Sequence, residues 1–135
     1  MFRFLHKTPR TVRELFGAIK DLLRTSKRYR RTATASGILL LLMIILPIWR
    51  ILPIAGDNPF IPLHYNVYVG IDSFGPWYGI FTLPFLGAVL FIMNLIFQAV
   101  FYRREHVLSM FFAIATLVTE SVLLVAMVLI VLLNL

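Results

Sequence analysis

Residues 27–49 read KRYRRTATASGILLLLMIILPIW, and this stretch decides the fold. Four cations, Lys27, Arg28, Arg30 and Arg31, stand against a run from 37 to 49 that carries no charge. A surface helix of a soluble protein keeps a polar face; this run has none, so its solvent is lipid or a deep core. Two further apolar runs follow, over 79–101 and 107–135, the second interrupted by a single charge at Glu120. At 1.5 Å rise per residue, about 20 residues cross a hydrocarbon core roughly 30 Å thick, and both runs exceed that length. The expected fold is therefore an all-α membrane protein. Its three transmembrane helices cover about 34–54, 79–101 and 107–135, preceded by an amphipathic basic N-terminal helix. Pro47 should kink the first span or loosen its last turns. The third span is long enough that it should tilt or project beyond the bilayer.

Composition agrees with this reading. The chain has 135 residues, 60% of them hydrophobic, more apolar surface than one soluble core of that size can hide. Its net charge of +7 is local: ten of the 13 Lys and Arg lie in the first 31 positions. From residue 32 onward three cations (Arg50, Arg103, Arg104) face four acids (Asp57, Asp72, Glu105, Glu120). A basic arm beside a span points to anionic lipid at the inner leaflet, each cation contributing about 1 kcal/mol near the surface. Lys27, Arg28, Arg30 and Arg31 are the expected headgroup contacts. No nucleic-acid partner is expected, because the arm carries no motif for one. The basic segment is too long for a signal-peptide n-region, so the first span reads as an uncleaved anchor. With no cysteine, disulfides, thiolate metal sites and cysteine nucleophiles are excluded.

Every connection obeys the positive-inside rule in the same sense. The arm is basic, the loop over 56–77 has Asp57 and Asp72 without Lys or Arg, and the turn after 101 carries Arg103 and Arg104. This places the N-terminus and the short turn inside, the long loop and the C-terminus outside. Trp49, Tyr65, Tyr68, Trp77 and Tyr78 suit the outer interface, and Tyr29 and Tyr102 the inner one. The chain divides into a cytoplasmic arm, 1–33, and a transmembrane domain, 34–135.

Within the arm, Val12, Leu15, Phe16, Ile19, Leu22 and Leu23 recur at helical spacing over 8–25. Thr11 with Glu14 makes a capping box, and Pro9 suits a helix entry. This amphipathic helix is expected to lie on the cytoplasmic leaflet, the alternative being a partner-binding or partly disordered tail.

Polar residues inside the spans fall in stripes. Gly87, Asn94 and Gln98 share a face of the second, and Ser109, Ala113, Thr116 and Glu120 a face of the third. Small and hydroxylated residues at such spacing favour close packing with hydrogen bonds across the seam. Glu120 lies about 20 Å from the inner turn by helical rise, where an ionised carboxylate needs a partner. Arg50 is the candidate, with snorkelling beside Trp49 as its alternative.

The loop reads NPFIPLHYNVYVGIDSFGPWY over 58–78, an ordered turn structure rather than a floppy linker, stiffened by Pro59, Pro62 and Pro76. His64, Asn66 and Asp72 are expected to gather as a polar cluster. Metal ligation would need more ligands than these supply, and no catalytic constellation or cofactor motif is present. The pattern carried by Pro59, Ile61, Pro62, His64, Asn66, Gly70, Asp72, Gly75, Leu83 and Pro84 resembles the membrane domain of SdpI-type bacterial proteins. It is also similar to small three-span membrane proteins of candidate phyla radiation bacteria with a Pro-Leu-His-Tyr-Asn loop. The resemblance covers about 38–135 and implies a bacterial cytoplasmic membrane and, for some SdpI-type proteins, immunity against secreted toxic peptides.

The functional expectation is thus a non-enzymatic interaction or immunity-like protein that meets a peptide or protein through its outer loop. The residues singled out there are Pro62, His64, Tyr65, Asn66, Gly70 and Asp72. The alternative is a transporter or channel subunit using Arg50, Asn94, Gln98, Thr116 and Glu120. Three helices are too few for a roomy pathway, so that alternative requires a homo-oligomer.

Overall fold

A computed structural model describes residues 11–57 and 59–135 of the chain. Helix α1 (Val12–Thr25) and helix α2 (Lys27–Arg50) lead to a two-stranded antiparallel sheet, β1 (Phe60–Asn66) and β2 (Gly70–Pro76). Helices α3 (Thr82–Phe101) and α4 (His106–Leu133) complete the chain, with short 3-10 turns at Leu52–Ile54 and Trp77–Phe81. Among the described residues three helical stretches are long and apolar enough to cross a membrane: Lys27–Ile54, Trp77–Phe101 and His106–Leu133. The protein is a multi-pass, all-α membrane protein with an N-terminal helix before its spans. Leu41, Ile45, Ile92, Val118 and Val125 point outward, a cost in water but the ordinary state of a lipid-facing surface.

Thr11 caps α1 as expected, its hydroxyl accepting from the Glu14 N–H at 3.4 Å. Pro9, the expected helix entry, lies outside the described residues. Ser26, with φ −112° and ψ 114°, separates α1 from α2. From Lys27 the chain holds no Gly or Pro until Gly37, so nothing stops the helix, and the expected boundary between 33 and 34 falls inside α2. Thr32 fits there because its hydroxyl donates to the Tyr29 carbonyl at 3.0 Å. The helix also continues through Pro47 to Arg50, and the Pro47 carbonyl accepts from the Ile51 N–H at 2.9 Å. Pro84 sits in the first turn of α3, where a missing N–H costs nothing.

The chain clusters into two compact units through which the long helices pass. One takes the described residues up to Gly37 with Val89–Val118. Its core is Leu22, Tyr29, Ala99 and Ala113, with Ala18, Ile19, Tyr102 and Met110 packed on it. The C-terminal half of α1 docks on protein through Leu22, fully buried, while Val12 and Phe16 remain exposed. Tyr29, expected as an inner-interface anchor, is buried instead. Its ring meets Tyr102 edge-on with centroids 5.3 Å apart, and its hydroxyl lies 3.5 Å from His106 Nδ1. Asp21 and Arg103 pair at 3.5 Å, an exposed contact worth at most about 1 kcal/mol.

The other unit takes Ile38–Ala88 and Thr119–Leu135. Met43, Ile51, Ile61, Ile80, Met127 and Val131 form its core. The loop over 56–77, read in the sequence as a turn structure, holds a β-hairpin resting on the end of α4. An isolated hairpin is marginal in water; this one is held by Ile61 in the core and by Asn134, whose amide donates to the Pro62 carbonyl at 2.9 Å.

Candidate functional site

The hairpin register explains why its side chains point as they do. Phe60 to Pro62 pair with Pro76 to Phe74, then His64 pairs with Ser73 and Tyr65 with Ile71. Leu63 and Asp72 are therefore extra residues, one on each strand. Such bulges re-aim the side chains around them. Leu63 turns inward into the notch left by Gly75 and Gly79, where an added Cβ would stand 2.5 and 2.7 Å from its Cδ1. Asp72 comes beside His64, and Oδ1 lies 2.6 Å from Nδ1. Both side chains stay solvent-accessible, so the pair orients the imidazole without sealing it away.

Asn66 does not join this pair, contrary to the three-residue cluster expected from sequence. Its Oδ1 accepts from the Tyr68 N–H at 3.0 Å, an Asx turn that closes the hairpin tip. Gly70 completes the tip at φ +83°, a backbone state that a Cβ disfavours. Pro62 works through its carbonyl at Asn134, and Tyr65 is more than half exposed. Val67, Tyr68 and Val69 at the tip are almost fully exposed, Tyr68 at 96%. Beneath the hairpin lies a cavity of about 550 Å³, lined by His64, Tyr65 and Val67 from the hairpin side and by the last two turns of α4. Leu129, Ile130, Leu132 and Leu133 make its far wall, so only His64 brings a strongly polar group to it.

The intramembrane polar residues divide. Near the turn between α3 and α4, Ser109 donates to the Gln98 carbonyl at 2.9 Å, a hydrogen bond across the α3–α4 seam as expected. Gln98 Oε1 itself is buried without a partner, as is Ser36 Oγ. Thr116, also buried, bonds back to the Phe112 carbonyl of its own helix at 2.7 Å rather than across the seam, and Asn94 is half-buried. Arg50 and Glu120 do not pair. Arg50 is exposed, with its guanidinium 5.1 Å from the Trp49 ring centre. Glu120 is fully enclosed, and neither carboxyl oxygen has a hydrogen-bond partner. An exposed Arg50 beside Trp49 is the geometry that snorkelling requires, and a helix end lets a long cation reach an interface more cheaply than a buried pair would.

Lys27, Arg28, Arg30 and Arg31 are all exposed on the first turns of α2. Sequence reading missed Asn134, although a lone amide closing an apolar run was a visible signal. It also missed Leu63, whose role depends on a bulge that no local pattern announces. No protein-family model, curated protein or solved structure matches the chain.

Proposed function

We propose that this chain is a non-enzymatic protein of the bacterial cytoplasmic membrane that holds an extended peptide segment against its outer hairpin, in an immunity-like role. One observation carries the reading: a two-stranded sheet with a free backbone edge stands beside an apolar cavity. Among the described residues each strand has a neighbour on one side only, leaving main-chain donors and acceptors for an added strand. The cavity lies within the volume range of about 300–1,000 Å³ usual for ligand sites, enough for an apolar anchor side chain. Asp57 and Asp72, with no Lys or Arg over 56–77, favour a neutral or basic partner.

The charge pattern supports the orientation: arm and Arg103–Arg104 turn at the cytoplasmic side, hairpin outside. The exposed cations Lys27, Arg28, Arg30 and Arg31 then meet anionic headgroups of the inner leaflet.

The test is photo-crosslinking from a reactive residue at position 68, in membranes of cells exposed to the candidate peptide. The double change His64→Ala with Asp72→Ala should lower peptide capture at least about tenfold, as loss of a charge-assisted contact would. Ile130→Trp, which fills the cavity, should do the same while membrane insertion is unchanged. Undiminished capture in both variants rejects the reading.

A further inference from the structure

The Glu120 carboxyl has no role in the hairpin and no partner in the spans. It is enclosed between α2 and α3: an added Cβ on Gly87 would stand 2.9 Å from Glu120 Oε2, 2.8 Å from Met43 Cε and 3.2 Å from Leu40 Cδ1. None of these neighbours is charged or titratable. The only charged residues of α2 are its first-turn cations and the terminal Arg50, which lies over Trp49. Helix α3 carries no titratable residue, and on α4 the other one is His106, fourteen positions away.

That wall decides what can meet the carboxyl. Calcium takes six to eight oxygen ligands and magnesium a near-ideal octahedron, whereas no group stands within hydrogen-bond distance of either Glu120 oxygen and no cluster of three or more His, Cys, Asp or Glu exists among the described residues. A bound water needs about 10–15 Å³ and two or more polar partners, and the Gly87 notch is already too close for a carbon atom. A bare carboxylate left in such a place is costly. The occupant that fits is a proton.

We propose that Glu120 is a reversible proton-binding site whose occupancy is coupled to the contact between α4 and Gly87 of α3. For the carboxyl to exchange its proton, α4 has to part from Gly87 far enough to admit water, so proton exchange and helix parting are one event. The residue thereby gives the hydrophobic body a charge-controlled joint, independent of whatever the hairpin binds.

The experiment is pH-difference infrared spectroscopy on the full chain in lipid nanodiscs. The expected result is a carbonyl stretch of a protonated carboxyl that disappears as pH rises and is missing from Glu120→Gln at every pH. Gly87→Ala puts a methyl where the Glu120 carboxyl and the Met43 tip now sit, displaces the carboxyl from its seat against α3, and should move the midpoint of that loss to lower pH by about one unit. Should Gly87→Ala fail to insert, Met43→Ala opens the same wall by removing side-chain volume, and a shift in the same direction is expected. A wild-type spectrum with no such band, or with a band unchanged over the whole accessible range, overturns the site. An unmoved midpoint in the variant that inserts overturns the coupling.

Discussion

Gly70 and Gly75 lie in one strand and are needed for different reasons. At Gly70 a Cβ would meet nothing within 4 Å, but φ is +83°. The cost of Gly70→Ala is therefore conformational, about 1–2 kcal/mol. Hydrogen exchange of the β1–β2 amides should accelerate roughly 5- to 30-fold, with the side-chain packing below unaffected. Gly75 has ordinary backbone space requirements that its neighbour denies, since Leu63 Cδ1 occupies the position of its Cβ. In the sequence the two glycines stand alike in one loop pattern; that one of them is a socket for Leu63 followed from the bulge. The same distinction holds for His64 and Asn66. Both were visible as polar loop residues, but hydrogen-bond geometry sent Asn66 to the turn and left His64 with Asp72.

At the scale of elements, α1 and α4 show how packing overrides pattern. The apolar stripe of α1 is continuous in sequence, yet only its second half is covered, by Tyr29, Ala99, Ala113 and their neighbours. Leu22 is fully buried there, so Leu22→Ala should cost about 2–4 kcal/mol of docking. Limited proteolysis at the Thr25–Ser26 junction should then quicken, while Phe16→Ala, an exposed position, should leave it unchanged. Equal cleavage in the Leu22 variant and the wild type would show that α1 is not held by this contact. Helix α4, at 28 residues, is longer than a bilayer core requires. Its last turns serve the hairpin, through Asn134 and the cavity wall. Its excess length was legible from the sequence; its use was not, because the partner strand lies some seventy positions earlier in the chain.

For the whole molecule, the proposed orientation rests on charge. The chain has no cysteine, so single cysteines introduced at 26, 72 and 104 can be labelled without background. Intact cells should expose position 72 to an impermeant reagent, whereas 26 and 104 should react only after permeabilisation. Labelling of 72 from the cytoplasmic side would reverse the orientation and with it the peptide-binding proposal. Three spans, an N-terminal helix and a cation-free loop were all legible beforehand, because length, hydropathy and charge act locally and additively along a membrane-crossing chain. Tertiary structure alone decided three things: the bulged hairpin that joins His64 to Asp72, the docking of α1 through Leu22, and the separation of Arg50 from Glu120. Each depends on which distant side chain arrives at a given place, and short-range pattern carries no information about that. A carboxyl opposite a glycine looks like packing in the sequence; only the fold shows that Glu120 is enclosed without a partner.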